Sequence, residues 1–180
     1  MKKLMMAVAI VCAAVMAHAA QVTWSANAIV PSGASTSYFA MIVDVTGIAD
    51  ATADSVANAI VAGTFTGNTM YSGAAVYNAS KSQVAVAFSK KTVNGEYANE
   101  QDVSYMTIVF DAAAAADAKN YLVTSGDAPA AGKFSAAGLL AVAQGSQASK
   151  TWTAVAPEPT SGLLMLVGLG ALALRRGRRA

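Results

Sequence analysis

The chain has 180 residues, 55% of them hydrophobic and only 12% charged, with a formal net charge of +2. Two of its twelve Lys/Arg precede residue 20 and four follow residue 156, so the stretch between holds six lysines against nine acids, a balance of −3 with no arginine, which argues against a nucleic-acid partner. The only Cys (Cys12) and the only His (His18) also precede residue 20, so that stretch has no disulfide, no thiolate or imidazole metal ligand and no Cys–His or Ser–His–Asp machinery.

The N-terminus carries Lys2 and Lys3, then an apolar run from Leu4 to Met16, then Ala17-His18-Ala19. A basic start, a short apolar stretch and small residues at −3 and −1 form a secretory signal pattern, with cleavage expected after Ala19 and, as the alternative, after Ala20. An uncleaved anchor is the competing account, but the apolar run is shorter than the roughly 20 residues that a span needs. Lipoprotein processing at Cys12 is set aside, because Ala9-Ile10-Val11 is a poor approach sequence.

From Gln21 to Val30, apolar and polar residues alternate around Val22-Thr23-Trp24-Ser25-Ala26, which predicts a strand. Pro31 to Ser35 is turn chemistry, and Tyr38 to Val45 reads as a buried strand. Asp50 to Ala62, with Val56 and Ile60 four apart, predicts a helix capped by Asp50 or Thr52 and ended by Gly63. Thr64 to Asn68 is a short strand or loop before a Gly-rich turn. Ala74–Ala79 and Gln83–Ser89 are strands; Val84, Val86 and Phe88 share one face of the second and are expected to point inward. Asn94-Gly95 is a hairpin signal.

Val103 to Phe110 is the clearest strand. Val103, Tyr105, Thr107 and Val109 share one face and Met106, Ile108 and Phe110 the other, so it should be central. Asp111 to Asn120, with Ala112–Ala116 in its middle, predicts a second helix capped by Asp111. Tyr121–Thr124 returns to strand, Ser125–Lys133 to loop. Phe134–Ala143 is compatible with strand or short helix, Gly145–Ser149 reads as loop, and Lys150–Val155 is a last strand. The likeness of Val22–Ala26 to Lys150–Ala154 suggests terminal strands close together with Trp24 and Trp152 in one core; coincidence explains it equally well. Together these elements predict a mainly β body, an antiparallel sandwich with one or two short helices; the alternative is an α+β sheet with both helices on one face.

After Ala156 come Pro157-Glu158-Pro159, an uncharged run to Leu174 rich in leucine from Leu163 onward, and Arg175, Arg176, Arg178 and Arg179. The prolines mark a boundary. A helix from Ser161 to Leu174 is apolar all round and about 21 Å long at ~1.5 Å per residue, short of a hydrocarbon core of roughly 30 Å unless arginines snorkel and the bilayer thins. The arginines favour the cytoplasmic side, which places the body across the membrane from them. An ordinary C-terminal core helix is the competing account, but such helices seldom end in four arginines.

This tail resembles the PEP-CTERM sorting signal of exported bacterial proteins. The resemblance rests on Pro157, Glu158 and Pro159, the short apolar helix and the four terminal arginines, and it covers only residues 157–180. It implies recognition at the inner membrane by an exosortase, a cut near Pro-Glu-Pro, and release or transfer to the cell surface, often in bacteria that make exopolysaccharide. It implies nothing about the body. The organisation expected is therefore a signal peptide at 1–19, a β-rich body at 20–156 and a sorting tail with a transmembrane helix at 157–180.

Within the body, Asp44, Asp50 and Asp54 could offer oxygen ligands to calcium, but without calcium-loop spacing a solvated or capping role is the simpler account. Glu96, Glu100 and Asp102 could hold a catalytic carboxylate pair; an exposed hairpin end explains them more simply. Tyr71, Tyr77 and Tyr97 could form a strip for sugar rings or be ordinary core and edge residues. Asn78-Ala79-Ser80 matches a glycosylation acceptor by chance. The expectation is a non-enzymatic surface or matrix protein with no catalytic, cofactor or metal residues, an exopolysaccharide-binding module as the alternative, and the inner membrane and an exosortase as partners.

Overall fold

The computed structural model describes residues 19–146 and 150–156. Its strands are β1 Gln21–Ile29, β2 Tyr38–Asp44, β3 Asn68–Asn78, β4 Gln83–Thr92, β5 Asp102–Phe110, β6 Asn120–Val123, β7 Ala130–Lys133, β8 Leu139–Ser146 and β9 Thr153–Ala154, with one α-helix, α1, at Ala53–Val61. The protein is mainly β. The strands form one continuous sheet in the order β8-β1-β4-β3-β2-β5-β6-β9, and β7 also pairs with β5. This differs from two separate stacked sheets: the sheet is single and open, and it curls until one face encloses the core. Nor is it wholly antiparallel, since β8 runs parallel to β1, Gln21 opposite Leu139.

The curl depends on shared and irregular strands. The first part of β3 pairs with β2, and Val76–Asn78 pair with β4, so one strand belongs to both halves. Between them the register shifts: Ile42 faces Tyr71 but Val43 faces Thr69, leaving Met70 as the extra residue of a bulge. A bulge bends its strand and re-aims side chains, and Met70 and Tyr71 accordingly both pack on the inner core. β1 and β4 shift register too, between Trp24↔Phe88 and Val22↔Lys91, where Lys90 has φ +46° and its N–H bonds the Thr23 hydroxyl at 3.0 Å.

The enclosed face carries Val22, Trp24, Ile29, Tyr38, Val84, Val86, Phe88, Phe134 and Leu140. On the outer face of β2, β5 and β6, Met41, Val43, Met106, Ile108, Phe110 and Tyr121 are covered by Ala53, Val56 and Ala57 of α1. β5 therefore works as its pattern predicts. Val103, Tyr105 and Val109 face inward, Met106, Ile108 and Phe110 outward, and all are buried. Thr107 is fully buried as well, its hydroxyl 2.6 Å from that of Thr124. Val84, Val86 and Phe88 also point inward as expected.

α1 forms where the sequence places it. Thr52 accepts from the Ser55 N–H while the Ser55 hydroxyl accepts from the Thr52 N–H, a reciprocal cap. At the other end Gly63 turns left-handed (φ +68°), its N–H bonding the Ile60 carbonyl and that of Thr64 the Ala59 carbonyl.

Four expectations change. Asp111–Asn120 is not an α-helix; only Ala115–Asp117 make a 3-10 turn. Phe110 and Tyr121 are cross-strand partners about 5 Å apart, so the ten residues between them must close a loop, whereas a helix of that length is about 15 Å long. The turn at Asn94-Gly95 joins no hairpin, because β4 pairs with β1 and β3 and not with β5. Residues 68–73 extend β3 instead of forming a turn, with Gly73 beside the Phe88 ring. The loop expected at Ser125–Lys133 contains β7, and the undecided stretch after Phe134 supplies β8.

Trp24 and Trp152 share the inner core, although β1 and β9 do not pair: Trp152 is half-buried against it, lies tilted against Tyr38 with ring centroids 5.7 Å apart, and donates its Nε1–H to the Val30 carbonyl just beyond β1 at 2.6 Å.

Candidate functional site

Most candidate residues of the body are engaged in holding it together. Asp44 accepts from the Thr46 N–H at 2.8 Å and from the Tyr97 hydroxyl at 3.0 Å. Asp54 accepts from the Tyr121 hydroxyl. Asp50 is exposed in the turn before α1, with φ +53°. The three are not gathered around a common point, and among the described residues no group of three His, Cys, Asp or Glu is arranged to hold a metal ion.

Glu96, Glu100 and Asp102 are all exposed; Glu100 pairs with Lys133 at 3.1 Å, and Asp102 lies opposite the same lysine across β5 and β7. The tyrosines do not form a strip. Tyr71 packs edge-on against Phe88, Tyr77 leans on Tyr38, and Tyr97 stacks on Phe134, each half-buried against the inner core. Burial first, and then the bond to Asp44, push the Tyr97 hydroxyl up to about 12, even though a bond from Asn68 works the other way. Burial and the bond to Asp54 likewise drive the Tyr121 hydroxyl well above its ordinary value.

A polar cleft of about 380 Å³ lies between the loop after β1 and the loop between β5 and β6, lined by Ser32, Ala34, Ser35, Asp111, Asp117, Lys119 and Asn120. Asp111 is its centre. One carboxylate oxygen accepts from the Lys119 and Asn120 N–H groups at 2.9 and 2.8 Å; the other accepts from the Asn120 side-chain amide at 2.6 Å and the Ser32 hydroxyl at 3.3 Å. Partial burial works against the charged carboxylate, but these donors outweigh it and hold Asp111 below the usual carboxylate range. Four donors occupy a carboxylate's acceptor sites, so Asp111 staples two loops and has no spare lone pair to offer a ligand. The sequence marked this residue as a helix cap; it performs the same capture of N–H groups on a loop.

The feature missed in the sequence is how the body's two ends are fixed. Ala20 is buried, its carbonyl accepts the Val93 N–H at 2.9 Å, and the Gln21 N–H donates to the Gly138 carbonyl at 2.8 Å. Ala19 beside it is exposed on the rim of an open cleft of about 680 Å³ that also includes Glu96, Tyr97 and Gln101. At the other end residues 150–156 form a strap. Trp152 is latched to Val30, Thr153 and Ala154 pair with Tyr121 and Asn120, the Val155 N–H bonds the Lys119 carbonyl at 2.9 Å, and the Ala156 N–H bonds the Asn58 side-chain carbonyl on α1 at 2.8 Å. Ala17, Pro157, Glu158, Pro159, Arg175, Arg176, Arg178 and Arg179 lie outside the described residues, as do the rest of the expected signal peptide before Ala19 and the apolar run expected to form the tail helix. No helix among the described residues is long and apolar enough to cross a membrane.

Compared with protein-family models, with characterised proteins and with solved structures, the chain has no match.

Proposed function

We propose that the chain is a non-enzymatic protein of the bacterial cell surface or extracellular matrix. It is exported across the inner membrane, held there by residues 163–174 with the body on the periplasmic side, and processed near Pro157-Glu158-Pro159 by an exosortase. The observation that carries this reading is that the fixed body is flanked by the two sequence elements. Among the described residues, Ala20, which directly follows Ala17-His18-Ala19, is already buried, and Ala156, which directly precedes Pro157, still makes a backbone contact to α1. A cut after Ala19 leaves the body whole, whereas a cut after Ala20 removes the acceptor of the buried Val93 N–H.

The non-enzymatic part rests on the chemistry present. Residues 20–156 have no His or Cys, the Glu96, Glu100 and Asp102 carboxylates are in solvent, and Asp111 is saturated with donors. A polysaccharide platform needs exposed coplanar rings, and Tyr71, Tyr77 and Tyr97 lie against core aromatics, so a glycan is left out of this reading. Intact mass spectrometry of the protein from its host tests the proposal. A chain starting at Ala20 and ending near Pro159 is expected; a chain that keeps its terminal arginines at the cell surface refutes exosortase processing.

A further inference from the structure

The strap fixes more than the end of the sheet. The Ala156 N–H is bonded to Asn58 on α1, and the apolar run begins at Leu163, so six residues, 157–162, are all that separate a fixed point on the body from the membrane segment. Six residues reach at most about 20 Å. A body of this length has a radius of gyration of about 14 Å, so its far side lies well beyond that reach.

The attachment point is also one-sided. α1 covers the outer face of β2, β5 and β6, while the outer face of β4 lies across both that sheet and the enclosed core. With layers about 10 Å apart, these two surfaces are separated by 20 Å or more, on the order of the tether itself. A tether this short, tied to one side, restricts rotation. Before the tail is cut, the geometry points to a fixed presentation in which the α1 side, around Asn58 and Ala62, faces the lipid headgroups and the outer face of β4, around Ala87, faces away. The partner surface is the bilayer itself. This inference rests on the membrane reading of the tail given above, and adds which side of the body the membrane and anything embedded in it will meet.

The test uses the full chain, expressed in an export-competent bacterium that has no tail-cutting enzyme and recovered from its membrane fraction. Single cysteines at exposed sites, Ala62→Cys or Ala87→Cys in a Cys12→Ser background, carry a fluorophore. The protein is reconstituted into phosphatidylethanolamine–phosphatidylglycerol vesicles whose headgroups bear nitroxide quenchers. Quenching at position 62 is expected to exceed that at 87 by about twofold or more. Releasing the strap with Trp152→Ala and Asn58→Ala together should lengthen the tether and shrink the difference. Equal quenching at the two sites in the latched protein overturns the inference while leaving the membrane tail standing. Stronger quenching at 87 overturns it too and would make a membrane-embedded protein on another face the better candidate. Protein that never enters the membrane fraction refutes the tail reading, and this inference with it.

Discussion

At the scale of single residues, the polar side chains act as fasteners, and this should be visible in how stability depends on pH. Asp111 is held below the usual carboxylate range by the donors from Asn120, Lys119 and Ser32. A carboxylate with a depressed folded pKa contributes stability above its unfolded value, near 3.9, and loses that contribution as pH falls through the lower folded value. Asp111→Ala should therefore cost about 2–3 kcal/mol at pH 7 and flatten the acid limb of the stability profile below about pH 4, as measured by urea unfolding. The tyrosines give the opposite limb. Tyr97 is raised to about 12, so the folded state keeps its proton while an unfolded tyrosine ionises near 10. Its contribution is present below pH 10 and is lost as pH climbs from 10 towards 12. Tyr97→Phe should make unfolding less sensitive to pH across that window; an unchanged alkaline limb would show that the hydroxyl's environment does not differ between the two states.

At the scale of elements, legibility followed how much each segment's own pattern decided. β5 was readable because both of its faces are bulky, and only a strand buried on both sides uses such a pattern. α1 was readable because its cap, its Val56–Ile60 spacing and Gly63 agree with each other. Ala112–Ala116 misled because propensity is local, whereas the closure of that loop is set by Phe110 and Tyr121 in neighbouring strands. β7 was invisible: Ala130-Ala131-Gly132-Lys133 has no bulk to alternate and becomes a strand only because β5 offers it an edge. Of the sites, the sequence could place Asp111 as a capturing side chain but not name its partners, and it gave no sign that Ala156 is tied to α1. Two substitutions probe these elements. Thr52→Ala removes the reciprocal cap of α1 and should cost about 1 kcal/mol. Trp152→Ala removes a half-buried ring and its bond to Val30; it should cost about 2 kcal/mol and, unlike the cap variant, make residues 150–156 a ready site of proteolytic nicking.

At the scale of the molecule, the sheet holds its curl by bringing together chain segments far apart in sequence. β1 pairs with β8 more than a hundred residues later, and β8 in turn approaches β7 across the seam where the curl nearly closes. Such long-range pairing predicts slow folding, in the range of milliseconds to seconds, because loop-closure entropy is lost before the contacts form. The seam admits no bulk at Gly132: a Cβ there would sit 2.6 Å from Tyr105 Cε1 and 2.9 Å from Leu140 Cδ1. Both neighbours are buried, so neither can swing into solvent. Gly132→Ala should therefore act as a wedge between β7 and β8 and cost about 1–3 kcal/mol. Leu140→Ala alone opens a hole in the enclosed core and should cost about 2–5 kcal/mol. Combined, the two should cost less than their separate costs together, because the methyl added at 132 then points towards the space left by Leu140, with only Tyr105 still crowding it. Denaturant melts of the four proteins complete the cycle. Strict additivity would mean that β7 and β8 do not touch through this pair, and that the curl is closed by something other than the packing of Leu140 on Gly132.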